Sequence, residues 1–272
     1  MQPLVRINLA GSSFGKTMPT SAQLLLLLFA LLTLNACSRD TNTTPTPATV
    51  QASSSPAGVA APRFTTIRVD VRKERLELFL RDEAGHSFNR FERLKAWLAS
   101  RNQHLRFAMN AGMFQPDLSP VGLFVQNGQE LSPLNLADGA GNFFLKPNGV
   151  FLISDSGPQI VESSEYPALA QGVRLATQSG PLLVRNGALH PAIDAASTSR
   201  LLRNGVGVSG DTIVFVISDQ PVTFYELAIY FRDDLHCPNA LYLDGVVSSL
   251  YSIDLHRNDS KTDLGPIVGV IQ

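Results

Sequence analysis

Apolar and polar positions alternate in FTTIRVDV and RLELFLR on either side of Arg72-Lys73-Glu74. Alternation of that kind puts every second side chain on one face, so the spacing predicts a two-stranded hairpin with one buried face. The period then changes. In FERLKAWLASRNQ, Phe91, Leu94 and Leu98 recur at helical spacing with Trp97 beside them, which predicts a short amphipathic helix with Trp97 packed in the core. A series of short apolar runs follows: LRFAMN, VGLFVQNG, NFFLKPNGVFLI, VRLATQ, PLLVRNG, NGVGV and TIVFVI. Asn and Gly tolerate positive φ, so Asn127-Gly128 and Asn186-Gly187 are expected to be tight hairpin turns. One further helix is expected in FYELAIYFRDDL, with Phe224, Leu227, Ala228 and Phe231 on one side, leading into the strand ALYLDG. Many strands with few helices predict an α+β fold, a large, mainly antiparallel sheet covered by a few helices in a single domain.

The amino-terminal segment has another pattern. Residues 1–21 carry Arg6 and Lys16 and no acid, and they run into QLLLLLFALLTL, an apolar stretch short for a permanent membrane span. Leu34-Asn35-Ala36-Cys37 follows and resembles the lipobox of bacterial lipoproteins. The resemblance implies a signal peptide over 1–36, cleavage before Cys37 and lipidation of that cysteine. Ser38 in the next position points to the outer membrane of a Gram-negative cell, with the chain on the periplasmic face. Residues 37–62 are rich in Ser, Thr, Pro and Ala and lack aromatics, so they cannot offset the entropy of ordering and read as a disordered tether. The folded domain is expected over 63–272. With Cys37 lipidated, Cys237 has no partner and reads as a small buried hydrophobe.

Composition narrows the chemistry. Lys+Arg 22 against Asp+Glu 23 gives a formal net charge of -1, which removes the basic footprint of a nucleic-acid binder. There is no HExxH, Cys-x-x-Cys, P-loop or GxSxG, and the histidines (His86, His104, His190, His236, His256) lack metal-ligand spacing. His190 reads as a turn residue.

Polar residues at strand ends next to glycines are the candidates, because a sheet holds such side chains rigidly while leaving them accessible. MNAGMF offers Asn110 and Gly112; ATQSGP offers Thr177, Gln178, Ser179 and Gly180. SRLLRNGVGV places Arg200 and Arg203 beside a flexible Asn204-Gly205 turn, and guanidinium suits the planar oxygens of phosphate. ALYLDGVVSS delivers Asp244, followed by Gly245 and Ser248, from a buried-looking strand. Glu226 lies on the helix leading into that strand and is expected to converge with Asp244; a carboxylate pair is the usual minimum for breaking a glycosidic bond. No cofactor is required on this reading, although a divalent cation could use Asp233, Asp234 and Asp244.

Taken in order, MNAGMF, NFFLKPNGVF, ATQSGP, RNGVGV, the Glu226 helix and YLDGVVSS resemble the phosphodiester glycosidase family, from about Phe107 to Tyr251. The resemblance implies a hydrolase that cuts between an anomeric carbon and a phosphodiester oxygen, releasing a sugar and a phosphomonoester. Its substrate would be a sugar-1-phosphodiester or an envelope glycan, with the membrane reached through the lipid anchor and no nucleic acid involved. It implies Asn110, Thr177, Gln178, Arg203, Glu226 and Asp244 as site-forming residues, with Gly112, Gly180 and Gly245 as backbone positions. The chain departs from animal members, which have a glycine-rich run after the aspartate where Val246 and Val247 stand here. The alternative, from another class, is a lipid-anchored module that binds a phosphate-containing envelope glycan without cleaving it.

Overall fold

The computed structural model describes residues 63–259 and 262–272. The signal peptide, Cys37 and the tether lie outside the described residues. Among the described residues, no helix is long and apolar enough to cross a membrane.

The alternating segments form strands, and every strand pairing is antiparallel. They do not form the one large sheet expected. Among the described residues three sheets form instead. The first runs Phe64–Asp70, Thr212–Ser218, Asn204–Ser209, Asn239–Asp244, Leu182–Arg185, Ala188–Leu189. The second runs Arg257–Asn258, Leu250–Ser252, Leu105–Asn110, Ile267–Ile271, Arg75–Phe79. The third runs Gln129–Ser132, Phe124–Gln126, Val173–Ser179, Gly149–Ser154, Gly157–Glu162.

The reason lies in how the apolar faces are distributed. Strands such as Val173–Ser179 and Thr212–Ser218 are buried on both faces. One face joins a common core, to which all three sheets contribute, among them Leu78, Phe107, Phe151, Leu175, Phe215 and Leu241. The other face needs separate cover. Helix α1 (Phe91–Ala99) covers the second sheet through Phe91, Leu94 and Leu98, and helix α2 (Phe224–Ile229) with the π-turn Tyr230–Asp234 covers the first through Leu227, Ala228 and Phe231. Trp97 is partly buried against the α1 cluster, its indole N–H donating to Glu83 at 3.0 Å. Cys237 is buried in the α2 cluster, and burial pushes its thiol up to about 11.

The expected amino-terminal hairpin is absent. Phe64–Asp70 pairs with Thr212–Ser218, whereas Arg75–Phe79 pairs with Ile267–Ile271 in another sheet. The Asp70 carbonyl accepts from the Lys73 and Glu74 N–H groups in the turn between them. Val69, Leu76 and Leu78 all enter the common core, so the hydrophobic pattern is satisfied without the two strands being neighbours. The two Asn-Gly turns do form as expected: Asn127 and Gly128 have φ of 51° and 76°, Asn186 and Gly187 of 49° and 79°. Asn204-Gly205 is no turn; both residues are buried in a strand.

Phe215 of the first sheet meets Phe107 of the second at 5.1 Å and Phe151 of the third at 6.2 Å between ring centroids. It is the ring at which the three sheets meet, and it is fully buried. Phe215→Ala is expected to cost about 3–5 kcal/mol in chemical denaturation, the loss typical of a truncated core aromatic.

Candidate active site

The three sheets converge at one set of strand ends. Asn110 closes a strand of the second sheet, Ser179 one of the third and Asp244 one of the first, while Asn204 opens the strand beside Asp244. Asn110 and Asn204 exchange side-chain amide hydrogen bonds: Asn110 Nδ2 donates to Asn204 Oδ1 at 3.2 Å, and Asn204 Nδ2 to Asn110 Oδ1 at 3.0 Å. The remaining lone pairs hold the loop after Asp244. Asn204 Oδ1 also accepts from the Asp244 N–H (3.0 Å) and the Ser248 hydroxyl (3.3 Å), and Asn110 Oδ1 from the Ser249 N–H (3.0 Å). The third sheet joins through Ser179 Oγ, which donates to the Leu243 carbonyl at 2.8 Å, and through Thr177 Oγ1, which accepts from the Gly112 N–H at 3.2 Å. A Cβ on Gly112 would lie 2.3 Å from the Gln178 carbonyl oxygen, so only glycine permits that approach.

Asp244 is held at this junction, partly buried. One carboxylate oxygen accepts from the Gly245 N–H, and among the described residues no ion pair reaches it. Burial raises its pKa to about 6, opposed only by the Gly245 hydrogen bond. The group therefore changes charge just below neutrality.

Glu226 has the opposite environment. It closes a capping box on α2, accepting from the Thr223 N–H at 2.9 Å while Thr223 Oγ1 accepts from the Glu226 N–H. It also receives a two-pronged contact from Arg200 (2.9 and 3.0 Å) and one from Arg63 (2.8 Å). Partial burial works against its charge, but the Thr223 N–H, Arg63 and Arg200 outweigh it and hold the pKa at about 2. The expected convergence of Glu226 with Asp244 does not appear as a hydrogen bond. A stack runs from α2 toward the Asp244 turn: Arg203 lies 3.8 Å over the Phe224 ring, Phe224 meets Tyr242 edge-on at 4.7 Å, and a Cβ on Gly245 would clash with the Tyr242 hydroxyl.

Arg203 itself is 1% exposed. Its guanidinium donates to the carbonyls of Val222 (2.9 Å) and Ser199 (3.2 Å) and lies 3.5 Å from the Tyr242 hydroxyl, with no carboxylate among these partners. Among the described residues this buried cation is met by carbonyl dipoles and aromatic rings and by no carboxylate. Gln178 spends all four of its hydrogen-bonding positions on protein: Oε1 accepts from the Leu123 and Asn135 N–H groups, and Nε2 donates to Asn135 O and Ser163 Oγ. Gln178, expected as a site-forming residue, has a structural role instead. Gly180 likewise packs closely, a Cβ there falling 2.6 Å from the Phe143 carbonyl. His190 is buried in its turn, with Nδ1 accepting from the Ala192 N–H. Asp233 pairs with Arg232, and among the described residues no three His, Cys, Asp or Glu side chains gather as a metal site.

Sequence reasoning left out Asn204, Tyr242 and Arg63. Asn204 was hidden because Asn-Gly has the pattern of a turn, and Arg63 because its partner is far along the chain. The Thr223-x-x-Glu226 spacing did carry the capping-box signal.

Asp244 takes up its proton more readily folded than unfolded, so ionising it costs stability as pH rises from near 3.8 to about 6. Asp244→Asn should match wild type below that window and exceed it above by up to about 3 kcal/mol, read from melting curves across pH.

The phosphodiester glycosidase family profile matches residues 103–270. The uncharacterized protein YigE of Escherichia coli K12 is 35% identical over 184 residues, covering 67% of this chain and 72% of that protein. Among solved structures, the zebrafish N-acetylglucosamine-1-phosphodiester alpha-N-acetylglucosaminidase catalytic domain, auto-inhibited by its pro-peptide, is similar in fold. Its TM-score is 0.53 at 12% identity, over 78% of this chain and 84% of that one. The profile match, over more than half of the chain, shows that the chain belongs to the phosphodiester glycosidase family.

Proposed function

We propose that this chain is a hydrolase that cleaves the bond between the anomeric carbon and the phosphodiester oxygen of a sugar-1-phosphodiester. The observation that carries the reading is Asp244: a carboxylate with no ion-pair partner among the described residues, placed where three sheets converge and with its pKa raised to about 6. Family membership supports the same reaction class.

A phosphomonoester is a good leaving group, so little acid assistance is needed on its side of the bond. As the carbon–oxygen bond breaks, its electron pair departs with the phosphate oxygen and positive charge builds on the sugar ring. The Asp244 carboxylate stabilises that charge and accepts a proton from the water whose oxygen adds to the anomeric carbon. Glu226, occupied by its cap and two arginines, does not take part in proton transfer. It positions Arg200 and Arg63 instead. Two guanidiniums share that one carboxylate and are 51% and 46% exposed, which leaves positive charge for the phosphate. Arg203 adds to the field from its buried position. Asn110, Asn204 and Ser248 hold the Asp244 loop, with Gly112, Thr177 and Gly180 locking the strand ends behind it.

The chain works, on this reading, on the cell envelope, exported by its first 36 residues and tethered through lipidated Cys37. Cys37→Ala should move the protein from the membrane to the soluble fraction; unchanged fractionation would refute the anchor.

The catalytic reading is tested with para-nitrophenyl-phosphate diesters of sugars, following sugar release. Wild type should release sugar, and Asp244→Asn should lose about 10²–10⁴-fold in kcat/KM. Because the ionised carboxylate is the working form, wild-type kcat/KM should fall as pH drops through about 6. Saturable binding without release would favour a glycan-binding module.

A further inference from the structure

A cleft of ≈ 370 Å³ opens beside the loop that follows Asp244. Its lining includes Leu202, Val246, Ser248, Asp219, Arg257 and Asp259. Two features tie it to the junction already described. The Ser248 hydroxyl lies 3.2 Å from the Asp244 carbonyl and 3.3 Å from Asn204 Oδ1, and the Leu202 carbonyl lies 3.4 Å from where a Gly245 Cβ would stand. A substrate centred on Asp244 therefore has this cleft as a neighbour on the Gly245–Ser248 side.

The cleft has a definite chemistry. Arg257 joins two carboxylates, Asp219 at 2.6 Å and Asp259 at 2.9 Å, and each of the three is about a quarter exposed. Further bonds hold them in place: Thr65 Oγ1 donates to Asp219 and the Leu250 N–H to Asp259. Among the described lining residues two acids stand against one base, an excess of negative charge on groups held by several bonds. Carboxylate oxygens so placed accept hydrogen bonds from hydroxyl or ammonium groups and repel further anions. The rim is apolar, since Leu202 is exposed and Val246 is 87% exposed. This contrasts with the side of Arg63 and Arg200, where positive charge is in excess.

We infer that the cleft is the subsite for the alcohol half of the phosphodiester and selects by charge, accepting an alcohol that carries an ammonium or hydroxyl group and rejecting one that carries a second anion. The inference rests on the glycosidase reading of the Asp244 junction. It predicts that a diester whose alcohol bears another phosphate or carboxylate is a poor substrate for this chain, whatever the sugar.

Three diesters of one sugar-1-phosphate, with 2-aminoethyl, 2-hydroxyethyl and carboxymethyl groups as the alcohol half, test this with the full chain. For wild type, kcat/KM should fall in that order, by about tenfold from first to last at low salt, and the spread should shrink as salt is added. In Asp219→Asn and in Asp259→Asn the spread should narrow; using both guards against one variant misfolding, which melting curves would reveal. Equal rates for the three diesters, or an unchanged spread in both folded variants, would overturn the subsite. If none of the three is hydrolysed, the glycosidase reading fails on its own account, and equilibrium titration with the same diesters then decides the subsite. The same order of affinities upholds it; no order, or no binding, overturns it.

Discussion

The reciprocal amide pair between Asn110 and Asn204 is the contact on which the candidate site depends. Two buried side chains from different sheets satisfy each other and use their spare lone pairs to fix the Asp244 N–H, the Ser248 hydroxyl and the Ser249 N–H. Unpaired, each buried amide would carry the desolvation cost of a polar group in an apolar core. Paired, they tie the first sheet to the second at the point where Asp244 emerges. Ser179 and Thr177 tie in the third. The common core behind them, centred on Phe215, makes the junction rigid.

The surroundings of the two carboxylates set their pKa values far apart, about 6 for Asp244 and about 2 for Glu226. Asp244 has no ion-pair partner among the described residues and receives one backbone hydrogen bond, so burial raises its pKa. Glu226 is surrounded by a backbone donor and two guanidiniums, which overcome its partial burial. Pushing the pKa values of two carboxylates apart is how a site assigns them different tasks. Glu226 caps α2 and pairs with two arginines, while Phe224 of the same helix stacks with Arg203 and Tyr242 beside the Asp244 turn.

Features governed by local backbone chemistry were legible in the sequence. Asn127-Gly128 and Asn186-Gly187 need positive φ and obtain it; Phe91, Leu94 and Leu98 mark the face α1 buries; the apolar run before Asp244 forms the buried strand that ends at it. What depended on distant pairing was not. Val69 and Leu76 enter the same core from different sheets, so alternation alone suggested a hairpin that is absent. Asn204 resembled a turn until its partner Asn110, far along the chain, was in view. Gln178 resembled a substrate ligand because Leu123, Asn135 and Ser163, which saturate it, come from other segments.

The most direct test of the account is hydrolysis of a sugar-1-phosphodiester in water labelled with heavy oxygen, with mass analysis of both products. Attack at the anomeric carbon puts the label in the released sugar and leaves the phosphomonoester unlabelled, which is the result predicted. Label in the phosphomonoester would mean that the phosphorus–oxygen bond was cut, and would contradict the account at its centre.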